Sequence, residues 1–350
     1  MDDITVLITG AGAPGIKGTL FSLENNCDHR KIRTLGTDIR KDAVGSYLCD
    51  DFYVIPKPNS EDYLSILIAI CKKEKVSVLL PQNTAELLTL SKHKQEFEES
   101  GTVVALSDPL AIDVSNDKGK LLTVAEEIGL AVPRFYRARN KTDLITYAKR
   151  LGWPQKRIVV KPPISNGMRG LRIIDESLDL KTQFYEEKPN NTLVKMDILQ
   201  QILGETFPEL LVMEFLAGEE LTVDVLSAEN LTVVPRSRDR IISGITFDGT
   251  TKENQNVIDY SERLSWKIGL KYAFGYQFKL DDEGIPRLLE CNPRIQGTMV
   301  LATFAGANII YGAVKHALGE HVPHFDIKWD TRILRYWGGL GVREKIIYSL

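Results

Sequence analysis

Three strongly polar side chains alternate along the segment LLECNPR, which begins at residue 288. Glu290, Asn292 and Arg294 are two positions apart, and residues two apart in a β-strand project from the same face. Such a row cannot be buried without partners, because an unpaired charge in a protein core is very costly. Either Glu290 and Arg294 form an internal salt bridge, or the row belongs to a binding site.

A second strand favours a binding site. The segment AFGYQFKL carries Gln277 among aromatic and apolar residues, and the following DDEG predicts a hairpin that brings Gln277 near Glu290. Two amide oxygens and a carboxylate are hard ligands suited to Mg²⁺, which completes its shell with water and phosphate oxygens. Arg294 could then hold a phosphate through two parallel hydrogen bonds. The pattern predicts a magnesium–nucleotide site.

Two lysines and a glycine-containing loop fit a phosphate ligand. Lys161 ends the apolar run IVV, and Lys118 begins a helix, where a cation opposes the helix dipole and so does not serve helix stability. The alternative for each lysine is a solvated surface charge. The loop SNGMRG, residues 165–170, contains two glycines and Arg169, and we expect it to close over the phosphates as a lid.

Two further segments offer polar groups. In LVMEFLAGEELTV a hinge separates two strands, so the hinge backbone could pair with adenine while Glu220 reaches the ribose hydroxyls; the alternative is a surface acid. In VVPRSRDR, Arg236 and Arg238 share a strand face, and we expect them to hold a substrate carboxylate, against the alternative of solvated charges. Gln296 and Thr298 are predicted to line the same pocket.

The N-terminal glycine loop suggests another chemistry. GAGAPG, from Gly10 to Gly15, lies between an apolar strand and a helix, and Asp38 ends the next strand, which is the outline of a dinucleotide-binding fingerprint. Pro14 and the lack of a hydride-transfer constellation weaken this interpretation. Close packing of strand and helix explains the same glycines, so a structural or substrate-lining turn is favoured over a nicotinamide site.

The elements that position these residues change character along the chain. Up to about residue 108, strands alternate with helices, which predicts a doubly wound parallel sheet. The next helix is predicted to have Ser115 or Asn116 as its N-cap and to end near Gly129. Hairpins follow, and then helices from about Gln296. The predicted segments are 1–108, 109–190 and 191–350.

The composition limits the classes of partner. The 350 residues carry a net charge of −3, so nothing global attracts nucleic acid or an anionic membrane. The four cysteines are scattered, which argues against structural zinc and favours free, buried thiols in a reducing compartment. The N-terminal apolar run is too short for a signal peptide or a membrane span. We expect a cytoplasmic protein with small-molecule partners, no nucleic acid and no membrane.

These motifs together resemble the ATP-grasp superfamily, in particular one ATP-binding half of the carbamoyl phosphate synthase large subunit. The most specific is LLECNPR with Gln277 upstream, followed by KPP with the downstream RG and by MEFLAGEELTV. The resemblance runs from ITGAGAPG to about Gly319. It implies a mixed α/β and α+β architecture: a pre-ATP-grasp, doubly wound parallel-sheet domain followed by an ATP-grasp fold of two α+β subdomains that grip ATP.

The resemblance also implies roles. They are phosphate contacts from Lys118 and Lys161, adenine contacts from Glu214, Phe215 and Leu216, a ribose contact from Glu220, metal ligands Gln277, Glu290 and Asn292, and catalytic groups Arg294, Lys161 and Arg169. Two Mg²⁺ ions are expected, with Mn²⁺ as an alternative.

Family members typically activate a carboxylate with ATP. The implied reaction converts a carboxylic acid, for example an amino acid, into an acyl phosphate and passes it to an amine, releasing ADP and phosphate. Carbamoyl phosphate synthesis itself is not expected, because the parent family uses two copies of the site. The alternatives are a nicotinamide-dependent oxidoreductase and a non-catalytic ATP-binding protein. A homodimer is suggested by analogy, and the identities of the acid and the amine cannot be read from the sequence.

Overall fold

The computed structural model describes residues 2–165, 167–189, 191–343 and 346–349. The chain folds into two compact units, each built from separate stretches of sequence. The first unit comprises Met1–Asn116, Glu220–Gln277 and Cys291–Leu350, and the second comprises Asp117–Glu219 and Phe278–Glu290. The three segments predicted from the sequence stay a prediction, since compactness alone does not define such domains.

The first unit begins with the parallel sheet expected from the alternating pattern. Its five strands have the order β3-β2-β1-β4-β5 and pair in parallel. Val6 and Ile8 pack into one hydrophobic cluster and Leu7 packs into another, so both faces of β1 are buried, as is usual for a strand of a parallel sheet. The strands are β1 (Ile4–Ile8), β2 (Ile32–Asp38), β3 (Asp51–Val54), β4 (Val78–Leu80) and β5 (Val103–Val104). The helices are α1 (Ile16–Glu24), α2 (Gly45–Leu48), α3 (Tyr63–Glu74), α4 (Leu87–Lys92), α5 (Lys94–Glu99) and α6 (Pro109–Asn116), with a 3₁₀ turn at Thr84–Glu86.

The second unit is a five-stranded sheet, in the order β6-β10-β7-β8-β9, whose core includes Leu144, Ala148, Met196 and Leu199 from two covering helices. The hairpin predicted from RIVVKPP and LRIID is confirmed, since β7 and β8 pair antiparallel. The elements are α7 (Lys118–Glu127), β6 (Phe135–Asn140), α8 (Lys141–Arg150), β7 (Ile158–Lys161), β8 (Arg172–Ile174), α9 (Leu180–Glu186), β9 (Leu193–Val194), α10 (Met196–Leu203) and β10 (Thr206–Glu214).

The predicted N-cap was wrong by one or two residues. Ser115 and Asn116 end α6, and Asp117 is the residue that caps α7. Its carboxylate accepts hydrogen bonds from the backbone N–H groups of Gly119 (2.8 Å) and Lys120 (3.0 Å), which have no partner within the helix.

Most of the remaining chain belongs to the first unit, and it forms three further sheets. Their orders are β12-β11-β15-β16, β13-β14-β17 and β18-β19. The elements are β11 (Glu220–Ser227), β12 (Leu231–Ser237), β13 (Arg240–Ile242), β14 (Ile245–Thr250), α11 (Gln255–Ile268), β15 (Tyr272–Leu280), β16 (Pro286–Asn292), α12 (Val300–Phe304), α13 (Ile309–Ala317), β17 (Arg332–Leu334), β18 (Leu340–Arg343) and β19 (Ile346–Ser349). Along the chain, β15 and β16 each begin in one unit and end in the other.

Two composition-based expectations can be compared with the structure. All four cysteines are free, but only Cys71 and Cys291 are buried, while Cys27 is exposed. In the described part of the chain, no helix has the length and apolar character needed to cross a membrane.

Candidate nucleotide and acceptor site

The hairpin that carries the predicted metal ligands is present. β15 and β16 are hydrogen-bonded neighbours, and the Asp281 carboxylate closes the turn between them by accepting the backbone N–H groups of Glu283 (3.0 Å) and Ile285 (2.8 Å). Gln277 lies on β15, and Glu290 and Asn292 lie two residues apart on β16. All three are partly buried. The three predicted ligands thus lie on two neighbouring strands, and the metal site itself stays a prediction.

Lys118 is buried beside Glu290 within the second unit. Its side chain is only 6% exposed, and its Nζ lies 3.5 Å from the Glu290 carboxylate. The same Nζ donates to the carbonyl oxygen of Ser165 at 3.1 Å, and the Lys118 backbone N–H donates to Pro163 at 3.0 Å. A buried ammonium group needs such partners, because desolvation of a charge is costly. The alternative of a solvated surface charge was wrong for Lys118.

Lys161 reaches the same strand. It is the last residue of β7, is buried, and donates from Nζ to the carbonyl oxygen of Leu289 at 3.4 Å. Arg169, in contrast, is exposed. The predicted lid at 165–170 includes Asn166, which lies outside the described residues, so the lid stays a prediction.

The predicted adenine hinge begins at the end of β10. The Glu214 carboxylate accepts from the backbone N–H and the Nε of Arg134, both at 2.9 Å, and the Glu214 N–H donates to the Arg134 carbonyl oxygen at 3.0 Å. The Phe215 ring lies 5.7 Å from the Arg157 guanidinium and 5.5 Å from the Lys279 ammonium. The Glu214 carboxylate is therefore already paired within the protein, and the adenine contacts of this hinge stay a prediction.

Glu220, the predicted ribose ligand, is held by Arg238 within the first unit. Nη1 of Arg238 donates to the Glu220 carboxylate, Nη2 donates to Gly244 O at 2.7 Å, and Nε donates to Thr246 Oγ1 at 3.1 Å. The Arg238 side chain is 6% exposed. All three guanidinium nitrogens thus have protein partners, and the alternative of a solvated charge was wrong here.

Arg236 forms a second buried ion pair. Its Nε donates to Asp224 Oδ2 at 2.7 Å, and the two side chains are 2% and 0% exposed. Its Nη1 donates to Thr246 Oγ1 at 3.4 Å. The solvated alternative was therefore wrong for Arg236 as well, and each of the two arginines predicted to bind a substrate carboxylate is already paired with a carboxylate of the protein.

Gln296 is also turned towards the protein interior. Its Nε2 donates to Val223 O at 3.2 Å and to Asp224 Oδ1 at 3.4 Å. This amide fills the space that a side chain at residue 275 would need: a Cβ on Gly275 would lie 1.5 Å from Gln296 Nε2. Thr298 is buried as well. Three of the four predicted acceptor residues thus belong to one hydrogen-bonded network around Asp224 and Arg238.

The glycine loop packs closely against this region. A Cβ on Gly15 would lie 2.7 Å from the Cα of Gly297, so only glycine allows the two backbones to approach this closely. Asp38 accepts the N–H of Gly12 at 2.9 Å. These contacts fit the structural or substrate-lining turn favoured from the sequence.

Arg294 is oriented by a residue that sequence reasoning missed. Its Nε donates to Thr84 Oγ1 at 3.1 Å and its Nη2 donates to Asn292 Oδ1 at 3.4 Å. Thr84 begins a 3₁₀ turn closed by a capping box between Asn83 and Glu86. The motif NTAE could have indicated the capped turn, but nothing in the sequence connects it to Arg294.

The buried carboxylate of that turn is itself well anchored. Glu86 accepts hydrogen bonds from the hydroxyls of Thr9 and Tyr63, the latter at 2.7 Å, and from the backbone of Asn83 at 3.0 Å. Burial raises the pKa of Glu86. The turn that presents Thr84 is therefore fixed to the residue that follows β1 and to α3.

Arg335 is a second missed residue. Its Nη2 donates to Gly297 O at 2.6 Å, while its Nε is buried and has no hydrogen-bond partner in the described part of the chain. Burial, together with the charge of Arg236, lowers the pKa of Arg335. A buried donor without a partner is unfavourable, so this guanidinium can accommodate an anion. Nothing in RILRYW, residues 332–337, distinguished Arg335 from Arg332 as a binding residue.

Comparisons with known proteins show which family models, relatives and folds the chain resembles. Residues 206–335 match the family described as ATP-grasp in the biosynthetic pathway with Ter operon, and residues 6–105 match the PylC-like N-terminal domain. The chain is 25% identical over 303 residues to the carbamoyl phosphate synthase large chain of Clostridium perfringens, which covers 82% of this chain and 26% of that protein. The chain thus spans about a quarter of the length of this relative.

Solved structures show the same fold at lower identity. One is the N5-carboxyaminoimidazole synthetase of Staphylococcus aureus with ADP, with a TM-score of 0.68 and 15% identity over 93% of this chain and 80% of that chain. Another is the L-amino acid ligase of Bacillus licheniformis, with a TM-score of 0.64 and 13% identity over 90% of this chain and 74% of that chain. The expected parallel-sheet domain with an ATP-grasp fold is confirmed. The chain therefore has an ATP-grasp fold and resembles, as a single unit, part of the carbamoyl phosphate synthase large chain.

Proposed function

We propose that the chain is an ATP-dependent carboxylate–amine ligase. It would phosphorylate a carboxylic acid, for example an amino acid, pass the acyl group to an amine, and release ADP and phosphate. The observation that carries the proposal is the buried Lys118 ammonium, 3.5 Å from Glu290. A cation fixed beside the predicted metal carboxylate is suited to neutralising the negative charge that spreads over a phosphoryl group during transfer.

The donor set fits a magnesium ion. Gln277 and Asn292 offer amide oxygens and Glu290 offers a carboxylate, which are the hard ligands that Mg²⁺ takes alongside water and phosphate. We propose that these three residues hold two Mg²⁺ ions, with Mn²⁺ as an alternative. When bound, the metal would supply charge neutralisation at the phosphates.

The nucleotide would be recognised by residues that already have fixed conformations. The backbone of Glu214, Phe215 and Leu216 would face adenine, since the Glu214 side chain is bound by Arg134. Glu220 would accept the ribose hydroxyls. The phosphates would be contacted by Lys118 and Lys161, with Arg294 on the transferred group and Arg169 on the lid.

The acid requires a cation with a donor available. Arg236 and Arg238 were predicted for this role, but both are bonded to protein carboxylates. Arg335 has a buried Nε without a partner among the described residues and contacts Gly297, which lies between Gln296 and Thr298. We therefore propose that Arg335 binds the substrate carboxylate at the 296–298 loop. Arg236 and Arg238 would support this loop through their ion pairs and would not contact the acid.

An ADP-release screen over amino acids, simple carboxylates and amines tests the function. ADP should form only when acid, amine, ATP and magnesium are all present. Glu290→Gln should abolish turnover, while Glu283→Gln, an exposed acid in the same hairpin, should leave it unchanged. ATP binding without ADP release across the panel would favour the non-catalytic ATP-binding protein. Binding of NADH but not of ATP would favour the oxidoreductase.

Two properties remain predictions that accompany this proposal. A cytoplasmic location suits an enzyme that consumes ATP and carries free thiols. A homodimer, expected by analogy, can be tested by sedimentation.

A further inference from the structure

A single buried hydroxyl lies between the two arginines of the first unit. Thr246, on β14, is 2% exposed. Its Oγ1 accepts Nε of Arg238 at 3.1 Å and Nη1 of Arg236 at 3.4 Å. A threonine hydroxyl has two lone pairs, so it can accept both hydrogen bonds at once.

Each arginine also pairs with a carboxylate, and the charges cancel locally. Arg236 binds Asp224, and Arg238 binds Glu220. Asp224 lies on β11, four residues after Glu220 at the start of that strand. The two ion pairs therefore lie along one strand, and removing one partner of such a pair would leave an uncompensated buried charge.

The ends of this network have different proposed uses. At one end, Glu220 is 22% exposed and is the proposed ribose ligand. At the other end, Asp224 Oδ1 accepts Nε2 of Gln296 at 3.4 Å, and Gln296 begins the loop proposed to receive the acid. The order of contacts is Glu220, Arg238, Thr246, Arg236, Asp224 and Gln296.

We propose that Thr246 is a positioning residue that joins the two ion pairs into one network, so that the ribose contact and the acid-binding loop are held by the same buried hydroxyl. This inference rests on the proposed function. It gives Arg236 and Arg238 a role through Glu220 and Gln296 and not through direct contact with the substrate. Low local dielectric strengthens such linked hydrogen bonds, so loss of the central acceptor affects both ends.

The test uses Thr246→Val, which keeps the shape and removes the acceptor, and Thr246→Ser, which restores it. Affinity for ATP and for 2′,3′-dideoxy-ATP is measured by titration calorimetry. Thr246→Val should weaken ATP binding by about fivefold, as expected for loss of one or two buried hydrogen bonds, and should leave dideoxy-ATP binding unchanged because that analogue lacks the ribose hydroxyls. Thr246→Ser should resemble the wild type.

The matched control is Thr250→Val on the same strand, since the hydrogen bonds of Arg236 and Arg238 described above do not involve Thr250. It should leave both affinities unchanged. The inference is overturned if Thr246→Val binds ATP as the wild type does, or if ATP and dideoxy-ATP are weakened equally, since an equal loss indicates a general structural effect. It is also overturned if the wild type binds ATP and dideoxy-ATP equally well.

A double-mutant cycle provides a second readout. If Thr246 acts through Glu220, Thr246→Val should weaken ATP binding little further in a Glu220→Gln background, whereas independent effects would add. The ATP affinities are measured without turnover, so they test the role of Thr246 independently of the ligase activity. An absence of ADP release would refute the proposed ligase activity but would not affect this test.

In an active enzyme, Thr246→Val should raise the KM for the acid about fivefold as well, in proportion to the same lost hydrogen bonds. Thr246→Ser should restore the wild-type KM. If Thr246→Val weakened ATP binding but left the KM for the acid unchanged, the claim that the Thr246 hydroxyl positions both Glu220 and Gln296 would be overturned.

Discussion

Gly275→Ala tests how tightly the Gln296 amide is packed. A Cβ at residue 275 would lie 1.5 Å from Gln296 Nε2, 2.6 Å from its Cδ and 2.5 Å from Val223 O. Ordinary contact begins at 3.4 Å, so Nε2 would have to move by 1.9 Å, the difference between 3.4 and 1.5 Å. The carbonyl of Val223 belongs to the backbone of β11 and cannot turn aside as a side chain can.

Two costs add in this variant. Displacing Gln296 breaks its hydrogen bonds to Val223 and Asp224, which contribute about 1 kcal/mol each. Overpacking of a β-sheet interior costs about 1–3 kcal/mol more. We expect a free energy of unfolding lower by roughly 4 kcal/mol and a Tm lower by roughly 5 °C for a chain of this size.

Differential scanning calorimetry gives the measurement, with Gly297→Ala as the matched control. A Cβ on Gly297 would meet only the Cα of Gly15, at 3.9 Å, so that variant should keep the wild-type Tm. A Tm for Gly275→Ala within about 1 °C of the wild type, well below the shift expected for such a clash, would refute the packing argument. Equal losses for the two variants would refute it too.

Three further predictions concern the cap, the buried acid and the hinge. Asp117→Ala should lower the free energy of unfolding by about 1 kcal/mol, measured by thermal denaturation, whereas Asp117→Asn should keep most of it. Burial raises the pKa of Glu86, so the stability that this group contributes is present below its ordinary pKa of 4.5 and is lost as pH rises through the folded-state pKa. The Tm of the wild type, measured against pH, should therefore fall relative to the Tm of Glu86→Gln. Parallel Tm curves for the two proteins would contradict this prediction. Arg134→Met should release Glu214 and raise the KM for ATP severalfold, while Arg139→Met, an exposed arginine on β6, the strand that follows Arg134, should not.

Periodic patterns predicted the elements well. Alternating apolar strands and helices indicated the parallel sheet, because each such strand must be covered on both faces. The turn DDEG indicated the β15–β16 hairpin, since the Asp281 carboxylate satisfies the turn's own N–H groups. Local rules failed at the start of α7, where three consecutive residues, Ser115, Asn116 and Asp117, can all cap a helix and the structure uses the last.

Long-range pairing was the part that sequence reasoning could not supply. Strand alternation placed Arg236 and Arg238 on one face and suggested a substrate carboxylate as their partner, but Arg236 is paired with Asp224, which looks like any acid in an apolar strand. Thr84 and Arg335 have no local pattern at all, because their roles depend on contacts with residues 210 and 38 positions away. Charge in a sequence indicates that a partner is needed and does not identify that partner.

The contact between Gly15 and Gly297 restricts how this protein can be recombined. The two residues are 282 positions apart in the sequence, yet their backbones lie so close that a methyl group on Gly15 would clash with Gly297. A chimera that takes the N-terminal sheet from one homologue and the 296–298 loop from another will keep this close approach only if the first parent has glycine at position 15. Breakpoints for domain exchange should therefore keep the two glycines together from a single parent.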